Sequence, residues 1–169
     1  MTDRDGVLVR RLFANEIEIF RSIRLEALSC EPASFASTFE DWANLPDEEW
    51  RRRLSNPVFI ASLDGQAIGM MGLSHQRPGK IAHRAVLTSV YLRKIARGSG
   101  IADDLFRAVS TYARNAGILL LELMVSAEND AALRFYRRHE FVEIGRIPGG
   151  ILDSGREIDD VLMVRQLHG

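Results

Sequence analysis

The chain has 169 residues, 46% apolar, with 22 basic against 23 acidic side chains and a net charge of −1; it reads most simply as one domain (1–169) able to bury its own core. The balanced charge argues against wholesale nucleic-acid binding, and apolar runs such as Ile118 to Leu121 are far too short to cross a bilayer. A lone cysteine, Cys30, excludes an intramolecular disulfide and fits a reducing compartment; with the polar opening Met1 to Asp5, which lacks a leader's apolar stretch, it predicts a cytoplasmic setting.

Val7 to Leu12 alternates loosely and predicts a first strand. Asn15 is placed to cap a helix whose apolar stripe runs through Ile19, Ile23, Leu25 and Leu28. Cys30-Glu31-Pro32 breaks that helix, and Phe35, Phe39 and Trp42 follow among acids, a pattern that suits an amphipathic helix laying its aromatics on a sheet. Pro46 to Leu54 predicts a further helix, with proline in the first turn, acids at the positive end, and Arg51 to Arg53 at the negative end. The three arginines read as a solvated, dipole-matched face, with a binding role as the alternative. Val58 to Leu63 and Ala67 to Leu73 are apolar runs joined through Asp64-Gly65-Gln66, a strong hairpin signal. Gly69 and Gly72 weaken the second strand unless another backbone or a ligand comes close. His75 to His83 reads as a polar loop, and no metal-ligand spacing links His75, His83, His139 and His168.

The stretch from Ala85 to Ala116 organises the rest. Val86 to Leu92 predicts a strand, Arg97-Gly98-Ser99-Gly100 a tight loop, and Ile101, Leu105, Val109, Tyr112 and Ala116 one face of a helix that Gly117 would end. A strand, a glycine loop and a helix N-terminus form an arrangement for holding an anion, because the loop turns backbone N–H groups outward at the positive end of the helix. A nucleotide P-loop would need Lys-Ser/Thr after its last glycine, where Ile101-Ala102 stands. A dinucleotide fingerprint would need a third glycine where Asp103 stands. After the helix come a strand from Ile118 to Val125, a helix opened by Asn129, a strand from Phe141 to Ile147, a long loop through Pro148-Gly149-Gly150 to Gly155, and a strand from Val161 to Leu167 antiparallel to the preceding one. Strand, crossover helix and strand imply a parallel pair, with ligands at the carboxyl ends where Leu92 and Val125 lie together. The expected architecture is an α/β (α+β) fold: a mixed, mostly antiparallel central sheet flanked by helices.

Arg97 to Ala102 fits the Q/R-x-x-G-x-G/A pattern of acyl-coenzyme A N-acyltransferases, the GNAT superfamily, and Val90-Tyr91-Leu92 sits where that family's coenzyme strand lies. Asn129 to Tyr136, followed by Phe141, is similar to the family's N-x-x-A-x-x-x-Y helix and the strand after it. The resemblance covers Val58 to Leu167; Glu140 departs from it, standing where the family usually has glycine. It implies a GNAT-type fold with the parallel pair at the coenzyme cleft, acetyl-CoA as cosubstrate, no metal, no nucleic acid or membrane partner, and a homodimer in many members. It also implies cofactor contacts from Val90, Tyr91, Leu92, Arg97, Gly98, Ser99, Gly100, Ile101, Ala102, Asp103 and Asn129. Asn129 reads equally as a helix N-cap.

The implied reaction is N-acetyltransfer to a primary amine of a small molecule or protein N-terminus, by direct attack through a tetrahedral intermediate. Tyr136 matches the family's general acid, with a core aromatic as the other reading; Glu122, an acid in an apolar strand, is the candidate base, with an ion-paired strand residue as the other. The segment from Ser29 to Leu45 corresponds to the family's acceptor region, so Glu40 or Asp41 is a candidate to meet a cationic amine. Two further functions stay open: a coenzyme-binding regulatory module of weak turnover, and transfer of a longer acyl group accommodated by Gly69 and Gly72.

Overall fold

The computed structural model describes residues 3–4 and 6–167; Met1, Thr2, Asp5 and His168, used in the sequence reading, lie outside them. In chain order the elements are β1 (Asp3–Arg4), β2 (Val7–Arg11), α1 (Ile17–Cys30), α2 (Glu40–Ala43), α3 (Asp47–Leu54), β3 (Val58–Leu63), β4 (Gln66–His75), β5 (Arg84–Leu92), α4 (Ile101–Asn115), β6 (Leu120–Ser126), α5 (Asp130–Arg138), β7 (Val142–Asp153) and β8 (Arg156–Gln166). The strands form one mixed sheet in the order β1-β2-β3-β4-β5-β6-β8-β7. Only β5 and β6 run parallel; every other neighbouring pair is antiparallel.

Each face of the sheet carries its own core. On one, Leu105, Val109 and Ala113 of α4 pack with Leu87, Leu121, Met163 and Tyr136. On the other, Phe20, Ile23 and Ala27 of α1 and Trp50 of α3 pack with Ile60, Met70 and Tyr91. The helix over the first strand begins at Ile17, one turn position later than an Asn15 cap would start it; Glu16 precedes it and accepts from the Phe13 N–H at 2.7 Å. Its buried stripe is Ile17, Phe20, Ile23, Arg24, Ala27 and Leu28, so Ile19 and Leu25 of the expected stripe lie at its margins.

The β3–β4 hairpin turns on Asp64 and Gly65 with φ of 48° and 76°, the pair of positive values that a two-residue type I′ turn demands. Two corrections fall in the rest of the sheet. The segment 148–153 is strand, not loop: β7 continues to Asp153, the turn is Ser154-Gly155, and Pro148 to Gly150 sit in a register shift between Ile147 and Ile151. Proline is tolerated there because β7 is the sheet's outer strand and its missing N–H leaves no ladder bond unmade. Gly69 and Gly72, in turn, serve close approach of strands. A Cβ on Gly72 would stand 2.8 Å from Thr88 Oγ1 and 3.3 Å from Thr88 O, and one on Gly69 would stand 3.0 Å from Tyr91 O. The space these glycines spare is filled by β5, so they open no room for a longer acyl chain. Gly72→Ala should therefore destabilise the protein by about 1–3 kcal/mol in a denaturant titration, because β5 must shift.

That contact marks the feature that shapes the sheet. Between the pairs Gly72↔Thr88 and Met70↔Tyr91 the register shifts by one residue, and Ser89 takes φ of +52°. The extra residue is a β-bulge, and it reverses which face each later side chain meets. Ala85 and Leu87 point into the α4 core, whereas Tyr91 points into the α1 core.

Candidate active site

The parallel ladder between β5 and β6 has three rungs, Arg84↔Leu120, Ala85↔Leu121 and Val86↔Glu122, and ends there. Beyond it the bulged half of β5 and the end of β6 diverge, and a cavity of about 380 Å³ opens between them. Val90, Tyr91, Leu92, Arg97, Ala102, Asn129 and Tyr136 line it, seven of the residues singled out from sequence. Alternation also sets the backbone: Arg93 N–H bonds back to Ile68 O on β4 at 2.9 Å, which turns the preceding Leu92 N–H toward the cleft.

Gly98, Ser99, Gly100, Ile101 and Asp103 form the loop and first turn at one rim. Gly98 and Gly100 have φ of 76° and 86°, which a side chain would strain. Among the described residues no backbone acceptor meets the N–H groups of Gly98, Gly100, Ala102 or Asp103, so these donors stand free at the positive end of α4. Ser99 Oγ lies 2.5 Å from Ala96 O, tightening the loop. The Ile101 side chain is in the core, leaving only its backbone at the rim. Asp103 turns away to α5, with His139 Nε2 at 2.6 Å and Arg138 at 3.3 Å. Burial works to raise its carboxyl, but the bonds from His139 and Arg138 prevail and hold it below the usual range. Asp103 thus ties the two motifs together. Arg97 donates to Leu92 O at 3.1 Å and to Glu31 at 2.7 Å, fastening the loop to the end of β5.

Across the cleft, Asn129 caps α5 by accepting from Ala132 N–H at 3.1 Å while still lining the cavity, so both of its readings are compatible. Tyr136 is 6% exposed, packed against Phe135 and Phe141, and its hydroxyl has no hydrogen-bond partner among the described residues. Burial pushes its phenol upward, which keeps the proton on the oxygen at neutral pH.

Glu122 is elsewhere. It sits on the paired base of the sheet in a two-pronged bond with Arg84, Nη2 to Oε2 at 2.9 Å, and does not line the cavity. Met124, two residues on, does. The acids of the acceptor segment are also engaged: Asp41 accepts from Thr38 N–H at 2.7 Å, Asp47 pairs with Arg21 and Glu49 pairs with Arg52, while Glu40 faces a separate hollow against Gly150 and Asp160. Two side chains escaped sequence reasoning. Glu26 on α1 accepts from Tyr91 at 3.0 Å and from Arg93 twice at 2.7 Å, anchoring the bulged half of β5. Arg24 also faces the cavity; its signal was present in the sequence, an arginine standing between Phe20 and Leu28 in the apolar stripe of α1.

The bond from Arg93 outweighs burial and holds Glu26 below its ordinary value, with Tyr91 assisting. A depressed carboxyl contributes stability above its unfolded value and loses it as pH falls through the folded one. Between about pH 5 and pH 3 the melting temperature of the wild type should fall more steeply than that of Glu26→Gln; parallel curves would remove this network from the acid limb.

Residues 20–141 match the model of the acetyltransferase (GNAT) family. The chain belongs to this family. Its sequence is 29% identical over 114 residues to an L-methionine sulfoximine/L-methionine sulfone acetyltransferase of Pseudomonas aeruginosa, covering 67% of this chain and 66% of that protein. It is 29% identical over 131 residues to a phosphinothricin N-acetyltransferase of Alcaligenes faecalis, covering 72% and 66%. The chain thus spans just under two thirds of the length of these relatives. Its fold is that of a GNAT acetyltransferase from Streptococcus pneumoniae, at a TM-score of 0.84 and 22% identity over 96% of this chain and 99% of the other. A phosphinothricin acetyltransferase from Sinorhizobium meliloti, solved in complex with acetyl-CoA, aligns at 0.79 with 19% identity over 95% and 88%. The expected GNAT architecture is therefore the observed one. Among the described residues no helix is long and apolar enough to span a membrane, and no group of three or more His, Cys, Asp or Glu side chains is arranged around a metal site.

Proposed function

We propose that this protein transfers the acetyl group of acetyl-CoA to a primary amine, in the first instance that of a small molecule. The observation that carries this reading is the meeting, around one cavity, of the unpaired half of β5, the free amides at the start of α4 and the protonated hydroxyl of Tyr136. The residues present suit the cosubstrate. Amides from Gly98 to Asp103 would take the pyrophosphate, the open edge at Val90 to Leu92 would take the pantetheine as an added strand, and Asn129 would add a side-chain contact. Acetyl-CoA supplies an activated acetyl thioester. The chain's part is to orient it, to offer the Leu92 N–H to its carbonyl, to exclude water and to return a proton from Tyr136 Oη to the departing sulfur. Glu122, bound to Arg84, is not included as the base.

Names of the relatives support a small-molecule acceptor; a protein N-terminus is the second reading of the acceptor. A regulatory module without turnover is less well supported, because Tyr136 lines the cleft with its hydroxyl free of protein partners. Calorimetric titration with acetyl-CoA followed by thiol release over a panel of amines tests the reading. Binding with amine-dependent release is expected; no binding overturns it, and binding without release on any amine or peptide favours the regulatory module. A cytoplasmic setting belongs to the same reading, supported by the single cysteine.

We infer further that two copies associate through β7. It is the outer strand of the sheet, and Val142, Ile144, Ile147 and Leu152 are exposed along it. A long apolar edge of that kind is a template for association. Sedimentation should give a dimer at micromolar concentration that Ile144→Glu dissociates; a wild-type monomer would exclude this interface.

A further inference from the structure

The cavity holds a cation that no acid among the described residues neutralises. Arg24 is 5% exposed, and its Nε and Nη1 are shut off from solvent with no hydrogen-bond partner. Among the described residues it forms no ion pair: Glu31, which lines the same cavity, is committed to Arg97, and Glu26 on the same helix to Arg93. Its guanidinium lies over the rings of Phe35 at 4.8 Å and Trp42 at 4.4 Å, and a second guanidinium, Arg53, lies over Trp42 at 4.2 Å. Burial first, and then the like charge of Arg53, push the Arg24 guanidinium down to about 10, so it is still charged at neutral pH. The aromatic faces offset part of the cost of burying it, but a planar fork of N–H donors without an acceptor stays unsatisfied.

The side chain reaches this place from α1, where Phe20 and Leu28 one turn to either side are buried. An apolar residue would fill the same position at less cost. Arg24 also lines the cavity that Tyr136 and Leu92 line, on the side formed by Phe35 to Ser37 and away from the amides of α4. Resting on the acetyltransferase reading above, we propose that Arg24 is the specificity-determining residue for the acceptor, and that the acceptor is an amine that also carries a carboxylate, which Arg24 pairs while Phe35 flanks its side chain. Arginine suits this task because its fork matches a carboxylate in two places. The acceptor's amine is then left to face the acetyl donor. This assignment replaces the cationic acceptor suggested by Glu40 and Asp41.

The test uses matched pairs that differ only in the carboxylate: L-methionine sulfone, L-leucine and L-phenylalanine, each beside its decarboxylated amine. Thiol release from acetyl-CoA should favour the acid of at least one pair by about 100-fold in kcat/KM, and Arg24→Met should erase that preference mainly through KM. Arg24→Lys, which keeps the charge without the fork, should retain part of it. Acetyl-CoA affinity should stay within about two-fold of wild type in both variants. The comparison of ligands on the wild-type protein stands even if a variant folds poorly. Calorimetric titration of the coenzyme A complex, and of the free protein, with the same acids gives a readout apart from turnover. Decarboxylated amines used as well as the acids, a preference that survives Arg24→Met, or no heat and no turnover with any acid would each overturn the proposal. Failure to bind acetyl-CoA while the acids still bind through Arg24 would instead overturn the acetyltransferase reading alone.

Discussion

Gly100→Trp should remove acetyl-CoA binding, lowering affinity by at least about 100-fold in a calorimetric titration, while the thermal melt should show an intact fold. Gly100 is the residue before α4, at φ of 86° and ψ of 0°. A non-glycine residue there bears the left-handed penalty of about 1–2 kcal/mol, which a protein of this size survives. The larger effect is occlusion, since the indole would stand among the donor amides of the first turn, where the pyrophosphate is to lie. Gly100→Ala separates the two contributions. It carries the same strain without the bulk and should cost only a few-fold in affinity. Wild-type affinity in Gly100→Trp would dismiss this loop as the phosphate cradle, together with the roles given to Gly98, Ala102 and Asp103.

Tyr136→Phe should lower kcat by about 10²–10³ with acetyl-CoA affinity unchanged, the signature of a proton donor that contributes little to ground-state binding. The hydroxyl has no protein partner to leave stranded, so the substitution should change stability by less than about 1 kcal/mol, and lost turnover can be read as lost chemistry. Burial raises the phenol, which suits a group that must carry its proton into the reaction and makes the same oxygen a poor base. The residual rate of Tyr136→Phe should depend on the leaving thiol, being less impaired with acyl donors whose thiols are more acidic. Unchanged turnover would leave Tyr136 as a core aromatic beside Phe135 and Phe141.

Much of the fold was legible because local rules and tertiary structure agree. Asp64-Gly65 makes the turn it promises, Gly117 follows α4 with φ of 77°, and the Gly-Ser-Gly loop leads into a helix that buries Ile101, Leu105 and Val109 as spaced, with Tyr112 half-buried and Ala116 exposed past its last turn. What escaped depends on neighbours distant in sequence. No local feature of Ser89 announces a left-handed residue in mid-strand; the bulge is enforced by pairing with β4, where Gly72 lets Thr88 approach. Because the bulge reverses the alternation, a straight reading of 84–92 puts Tyr91 on the wrong face. Pro148-Gly149-Gly150 looks like a loop by composition and is strand because β8 supplies partners on both sides of it. Glu140 adopts φ of 62° where the family's glycine would be unstrained, and its carboxylate bonds Arg165 at 2.8 Å across to β8.

The site divides in the same way. The residues proposed to hold the coenzyme stood out in the sequence because the proposed contacts use backbone, and backbone geometry is written in glycines and helix starts. Of the two readings of Glu122 the structure shows the ion pair, which sequence alone could not select because Arg84 lies 38 residues away and adjoins it through the parallel ladder. Asp41 looked available for an acceptor and is occupied in capping the Thr38 N–H. Arg24 had the opposite fate: its place in an apolar stripe was visible, but only the packing of Phe35 and Trp42 around it shows that the charge is enclosed without a counterion.

The three rungs between β5 and β6 also have a mechanical meaning. Five strands stand on one side of this seam and three on the other, and among the described residues the backbone stitches β5 to β6 only over the short stretch from His83 to Val86. The two leaves are joined instead by a shared side-chain core, which runs without a break from Leu105, Val109 and Leu87 to Leu121 and Met163 across the seam. Helix α4, whose first turn would floor the phosphates in the proposed reading, packs on the first leaf, over β2, β3 and β4. A ligand gripping its first turn and the free margin of β5 would brace the hinge from the open side, so amide exchange along β5 and β6 should slow when the cleft is filled, even at positions the ligand never touches.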